Sequence, residues 1–334
     1  MGEFDLIERY FLNPARSLSQ RAANGVMLGI GDDCALLQPA AGMHLAVSTD
    51  MLVEGRHFLS TVDPYKLGHK ALAVNLSDLA ACGAKPLAFT LALALPRADE
   101  AWLAPFSQGL LALAAEHNCE LIGGDTTQGP LNICITVLGE VPNQPAQALL
   151  RSGAKAGDDI YVSGTLGDAR LALEVFRGTL ELPIEAFALA RARMETPTPR
   201  VQLGIALRGL ASAAIDVSDG LLGDLAHILR LSGVGAVIDT SIAIDLIAIQ
   251  AENTPARCHF TPQKQLEYIL AGGDDYELAF TAPAALRDAV QAAATASGTQ
   301  VTRIGQIQAE PGLRLVDGLG QPVPNRYTSF DHFK

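Results

Sequence analysis

The chain has 334 residues, 49% hydrophobic and 18% charged, with 31 Gly and 18 Pro. That composition excludes fibrous and disordered proteins and provides for two domains of about 150 residues each. The formal net charge of -12 excludes a grip on nucleic acid through a basic surface, so phosphate must be handled by another route.

Cys34, Cys82, Cys119, Cys134 and Cys258 are odd in number and irregularly spaced, which speaks against a disulfide framework or a zinc knuckle. Glu3, Asp5 and Glu8 stand where an export signal would be basic. The most apolar windows are too short for a bilayer or are interrupted by Asp239 and Asp245. The expectation is a soluble, cytoplasmic protein with reduced thiols and no membrane partner.

In chain order, residues 44–49 read as a strand. A helix follows over 64–82, with Asp63 as N-cap, Pro64 at the first helical position and Gly83 as its stop. A strand over 87–95, a helix from about Asp99 to His117 and a strand over 131–141 complete this block. The Pro-, Gly- and Ala-rich stretch 142–157 places a boundary that gives domains 1–145 and 146–334. In the second domain, strands near 159–163, 213–217, 234–239, 275–281 and 301–307 alternate with helices near 168–177, 185–194, 200–209, 220–231, 262–271 and 284–297. The fold class is α/β in both domains, with α+β character in the mixture.

Aspartates recur at Gly-flanked positions that read as strand ends and helix starts: Gly31-Asp32-Asp33, Ser48-Thr49-Asp50, Asn75 to Asp78, Gly123-Gly124-Asp125, Asp216 to Gly220 and Gly273-Asp274-Asp275. Turn chemistry explains any one of them. As a set beside apolar strands, they call for positive partners where Lys and Arg are few. Mg2+ suits carboxylate, hydroxyl and water oxygens and is commonly shared with substrate phosphates. Asp50, directly after the run LAVST, is expected at a strand terminus as a metal ligand. Asn75 and Asp78 share one face of their helix. Asp216 and Asp219 flank a helix start and are expected as metal ligands, with capping or the helix dipole as the alternative role for Asp219. His57, in the loop VEGRHF, is expected to face ligand. No GxxxxGK[ST], GxGxxG, HExxH or GxSxG pattern is present, so the usual nucleotide loops, zinc hydrolysis and serine acyl transfer lose their signatures.

The segments GIGDDCAL, STDMLVEGRHF, NLSDLAACGAKP, IGGDTT, LLRSGAKAGD, IDVSDGL and GGDDYEL occur in the order seen in the thiamine-monophosphate kinase family. The chain resembles that family over nearly its whole length. The wider superfamily is similar to aminoimidazole ribonucleotide synthetase and includes selenophosphate synthetase and the hydrogenase maturation protein HypE. The resemblance implies a two-domain aminoimidazole ribonucleotide synthetase-like fold. Its N-terminal α/β domain would bind ATP and Mg2+ and pair its sheet across a homodimer, and the active sites would be clefts lined by Asp-rich loops.

The implied reaction is ATP-dependent phosphorylation of thiamine monophosphate to thiamine diphosphate, with release of ADP. By motif position, Asp33, Ser48, Thr49, Asp50, Asp78, Asp125, Asp216 and Asp219 would ligate several Mg2+ ions. Asp50 and Asp125 would be central to catalysis. Gly124, Asp125, Arg151 and Ser218 would contact ATP, while His57, Asp274 and Phe330 would contact the thiamine phosphate. Asp274 stands where the family commonly has Glu. Arg151 has a simpler alternative as a linker arginine paired with Asp158 or Asp159. Two other readings stay open: another ATP-dependent enzyme of the superfamily, and a catalytically silent nucleotide or thiamine-phosphate binding protein. Neither involves nucleic acid or a membrane.

Overall fold

The computed structural model describes residues 2–19, 25–144, 147–248 and 260–329. These residues form two compact units, Met1–Leu79 with Ala84–Gln147 and Ala80–Gly83 with Ala148–Lys334.

The N-terminal unit opens with α1 (Glu3–Ile7), a π-helical turn (Glu8–Leu12) and α2 (Asn13–Ser19). Two short strands, β1 (Val26–Leu28) and β2 (Leu36–Leu37), pair antiparallel. The main sheet holds β3 (Met43–Val53), β4 (Lys85–Leu95), β5 (Glu120–Gln128) and β6 (Asn132–Pro142) in the order β3-β6-β4-β5. Its pairs are antiparallel except β4 with β5. Between strands lie α3 (Pro64–Cys82) and α4 (Glu100–Glu116). The Asp63 carboxylate accepts from the Lys66 amide at 3.2 Å, so α3 starts where the Asp-Pro pair predicts. From Leu67 to Ala80, α3 is buried nearly all round, the pattern of an internal helix rather than a surface one. It lies tightly against α4: a Cβ at Gly68 would sit 2.1 Å from the Phe106 carbonyl oxygen, and one at Gly109 1.8 Å from that of Tyr65. Phe89, Phe106, Leu72, Leu76 and Ile135 fill the core beneath.

From sequence, Gly123-Gly124-Asp125 reads as a strand end with turn composition rather than as the middle of a strand. In the structure Gly124 continues the parallel ladder opposite Leu91. A Cβ there would lie 1.9 Å from the Leu91 carbonyl oxygen, so glycine permits a close approach between strands.

The C-terminal unit is a seven-stranded sheet in the order β13-β12-β9-β11-β7-β10-β8. These strands are β7 (Asp158–Ser163), β8 (Ala213–Val217), β9 (Gly235–Asp239), β10 (Glu277–Pro283), β11 (Val301–Gln308), β12 (Gly312–Val316) and β13 (Pro322–Val323). Only β9 and β12 run parallel. The helices are α5 (Asp168–Phe176), α6 (Ile184–Glu195), α7 (Val201–Ala206), α8 (Leu221–Ser232), α9 (Thr240–Ala243), α10 (Pro262–Ala271) and α11 (Arg287–Ala296). The core gathers Ile160, Val162, Ile215, Leu225, Ile228 and Ile304. Strand β10 starts at Glu277 rather than 275, because Asp274 and Tyr276 have φ of 72° and 53°, which no strand residue adopts.

Candidate active site

Asp50 is not at a strand terminus. Strand β3 continues to Val53, and Asp50 pairs with Ile135 of β6 in mid-ladder. Alternation puts Ser48 and Asp50 on one face and Thr49 on the other, where its hydroxyl meets that of Thr136 at 2.9 Å.

On the α3 side, Ser48 Oγ donates to the Asp78 carboxylate. The Asp50 amide donates to Asn75 Oδ1 at 3.1 Å, and Asn75 Nδ2 donates to the Ala71 carbonyl at 3.0 Å. Asn75 is 1% exposed; its Oδ1 ties the helix to the strand while its Nδ2 is held by its own helix, and together with the Ser48–Asp78 bond this keeps the two acids beside each other. Burial, and then the charge of Asp78, push the Asp50 carboxyl up to about 6. Two mutually repelling carboxylates with a hydroxyl form an all-oxygen donor set, the kind a hard divalent cation fits. Among the described residues no three His, Cys, Asp or Glu side chains close around a metal by themselves. A cation held there would need its other ligands from backbone, water or substrate oxygens.

Asp125 is exposed in mid-β5, opposite Ala92. Strands β3 and β5 are the two edges of the sheet. Asp50 and Asp125 thus lie three strand spacings apart, about 14 Å at the usual spacing, and do not share one cation within this sheet. Asp33 is exposed between β1 and β2, its amide donating to Asp32 Oδ1 at 2.8 Å. His57 is half-buried in the turn after β3, and its Nδ1 accepts from the Val53 amide at 2.9 Å. The proton of the neutral ring is thereby placed on Nε2.

In the C-terminal unit, Asp216 is 5% exposed near the end of β8. The Ser218-Asp219-Gly220 turn that follows is zipped to the segment 273–276. The Asp274 amide donates to the Ser218 carbonyl at 2.7 Å and the Tyr276 amide to that of Val217 at 2.9 Å. A Cβ at Gly273 would lie 2.4 Å from the Ser218 carbonyl oxygen. Asp216, Ser218, Asp219 and Asp274 therefore belong to one local assembly.

Two supporting side chains have no role in the sequence reading, where Asp275 appears only as a member of the Gly273-Asp274-Asp275 cluster. Glu277, with no exposed surface, accepts from Arg193, from Arg200 Nε at 2.6 Å and from Ser163. It locks the strand directly behind the Asp274-Tyr276 turn. Asp275, 1% exposed, accepts the Gly167 amide at 3.0 Å. Burial holds its carboxyl well above the usual carboxylate range.

Arg151 is exposed, and the acids proposed as its linker partners are engaged elsewhere. Asp159 pairs with Arg287 at 2.6 Å and Arg303 at 3.3 Å, and Asp158 accepts from Ser212 at 2.6 Å. Ser232 at the end of α8 accepts the Gly153 amide at 3.1 Å, anchoring the segment that carries Arg151. His227 on α8 is held below its ordinary range by burial first and then by the charges of Arg151 and Arg230, against an upward pull from Asp219. Arg151 and Asp219 thus both act on His227.

The tail docks on the same helix. Ser329 Oγ accepts the Gly223 amide at 2.9 Å, one of the amides that a helix start leaves without a partner. A Cβ at Gly223 would lie 2.7 Å from the Ser329 side chain. Gly223→Ala is therefore expected to expel the tail, seen as faster hydrogen exchange at the amide of residue 223; unchanged exchange would contradict this docking. Phe330 lies outside the described residues.

Residues 31–141 match the family of the AIR synthase related protein, N-terminal domain, and residues 155–318 that of its C-terminal domain. The thiamine-monophosphate kinase of Salmonella typhimurium is 47% identical over 99% of this chain and 98% of its own. The crystal structure of thiamine-monophosphate kinase from Stenotrophomonas maltophilia covers 95% of this chain and 98% of its own, at 43% identity and a TM-score of 0.84. A structure of AaThiL complexed with AMPPCP and TMP superposes with a TM-score of 0.73 at 28% identity, covering 97% of both chains. With its paired aspartate-bearing elements and this likeness across both units, the chain belongs to the thiamine-monophosphate kinase family of AIR synthase related proteins.

Proposed function

We propose that the chain transfers the γ-phosphoryl group of ATP to the phosphate of thiamine monophosphate, forming thiamine diphosphate and ADP, with Mg2+ as the metal. The observation that carries the reading is 47% identity over 99% of the chain to a thiamine-monophosphate kinase. The AaThiL complex, which holds AMPPCP and TMP, supports the same pair of ligands here.

An attacking phosphate monoester oxygen is already anionic near neutral pH, so no general base is required; the protein must hold two repelling anions in line. Asp33, Ser48, Asp50, Asp78, Asp125, Asp216 and Asp219 supply the side-chain oxygens that would hold Mg2+, whereas Thr49, whose hydroxyl meets Thr136 on the opposite face of β3, would contribute through its backbone oxygen. Bound there, Mg2+ supplies neutralisation of phosphate charge and Lewis-acid polarisation of phosphoryl oxygens. Gly124, Asp125, Arg151 and Ser218 serve ATP, Arg151 through an exposed guanidinium suited to phosphate. His57 and Asp274 serve thiamine monophosphate together with Phe330, and His57 Nε2–H is a donor that a phosphate oxygen accepts.

The same reading includes a homodimer. On the face of β3 away from α3, Leu45, Val47 and Met51 are 43%, 59% and 52% exposed, an apolar stripe suited to a second sheet. It also includes a cytoplasmic setting, which the free thiols of Cys34, Cys82, Cys119 and Cys134 support. Cys258 lies outside the described residues. Among the described residues no helix is long and apolar enough to cross a membrane.

The test offers the purified protein thiamine monophosphate or thiamine, each with ATP and Mg2+. Thiamine diphosphate is expected from the monophosphate alone, with turnover abolished by EDTA and restored by Mg2+. Equal use of thiamine, or turnover that survives EDTA, would contradict the proposal.

A further inference from the structure

The turn after β8 has the form of a phosphate cradle: three successive amides, of Ser218, Asp219 and Gly220, converge at the start of α8. They converge on the chain's own Asp224. One oxygen of its carboxylate accepts all three, at 3.0, 3.1 and 3.1 Å, and the residue is 4% exposed. Gly220 has φ of 116°, and a Cβ there would lie 2.9 Å from the Ala271 backbone. The turn is thus held both from beneath by Asp224 and from the side by the end of α10. The Ser218 carbonyl, on the outer side of the same peptide group, accepts the Asp274 amide.

We propose that Asp224 is a positioning residue that fixes the Asp216–Gly220 turn. Its carboxylate fills the amide cradle, so this turn meets its ligands through the oxygens of Asp216, Ser218 and Asp219 rather than through its backbone N–H groups. An anionic carboxylate behind the turn also repels phosphate from the cradle and makes the turn a cation-facing surface. The assignment rests on the proposed role of Asp216 and Asp219 as metal ligands, and it extends that role to a residue that touches neither metal nor substrate. On sequence alone, an acid in the first turn of α8 reads only as a complement to the helix dipole.

The test measures Mn2+ binding by electron paramagnetic resonance on full-length wild type, Asp224→Ala and Asp224→Asn, with melting temperature in parallel. Removing a residue that orients ligands typically costs about 10- to 100-fold in metal affinity. Asp224→Ala is expected to weaken the Mn2+ site by about that much, and added formate, which refills the cradle, to restore it. Asp224→Asn, which keeps the shape and one acceptor, is expected to fall between and to carry the test if the Ala variant does not fold. Wild-type Mn2+ affinity in a folded variant would overturn the proposal, as would a loss that formate leaves unchanged. Because the readout is binding, wild-type protein that holds Mn2+ but fails to phosphorylate thiamine monophosphate would count against the reaction and not against this assignment.

Discussion

Replacing Asp50 by Asn is expected to lower kcat/KM by about 10³-fold, roughly 4 kcal/mol of transition-state stabilisation, while raising the melting temperature of the free protein. The two effects share one cause. Asp50 and Asp78 are held together by Asn75 and Ser48, and burial plus the Asp78 charge raise the Asp50 carboxyl to about 6. A carboxyl raised by folding makes its ionised form a cost to the folded state. That cost is fully present above about pH 6, fades between about 6 and 4, and is gone below. Asn removes it and keeps the backbone bond to Asn75. After allowance for partial exposure, the gain is about 1–2 kcal/mol at neutral pH, or a few degrees in Tm. The stability difference between variant and wild type is therefore expected to vanish as pH falls below about 4. A variant that keeps near-normal turnover in saturating Mg2+, or that melts well below wild type at pH 7, would contradict this account of the pair.

Glu277→Gln is the change expected to cost most in stability. Glu277 has no exposed surface, whereas the side chains of Arg193 and Arg200 keep 19% and 17% of theirs. Gln fits the same space and accepts the Ser163 hydroxyl, but it leaves two guanidinium groups without their counter-charge. Breaking such a pair by removing one partner costs about 3–5 kcal/mol. Chemical denaturation of the variant is expected to show that loss. Activity should fall with it, because Glu277 anchors the strand directly after the Asp274-Tyr276 turn. A loss under about 1 kcal/mol would mean that water reaches the two arginines and that the network is not the anchor described.

The legible parts of the sequence were those where local chemistry and tertiary structure agree. Asp63-Pro64 starts α3 because one side chain caps it and the next fits its first position. The pairing of Asn75 with Asp78 follows from helical spacing, and both do meet β3. Other features are decided by distant contacts. Gly123-Gly124 has the composition of a turn, yet it continues a strand because the Leu91 backbone lies where a side chain would go. Asp50 looks terminal because it directly follows the run LAVST, yet ladder bonds to β6 carry the strand on through Met51 and Leu52 to Val53. The left-handed Asp274 and Tyr276 delay β10, being held by the Ser218 and Val217 carbonyls from a segment more than fifty residues earlier in the sequence. Asp224 and Glu277 do their work in buried networks that no periodicity marks.

The central claim is direct transfer of the terminal phosphoryl group of ATP to a phosphate acceptor. It is tested most directly by following the fate of γ-³²P-labelled ATP with thiamine monophosphate and Mg2+. The account predicts one labelled thiamine diphosphate for each ADP formed, with the label in its terminal phosphate and none released as inorganic phosphate. Label appearing as free phosphate, or AMP in place of ADP, would contradict it and return the chain to another ATP-dependent chemistry on the same fold.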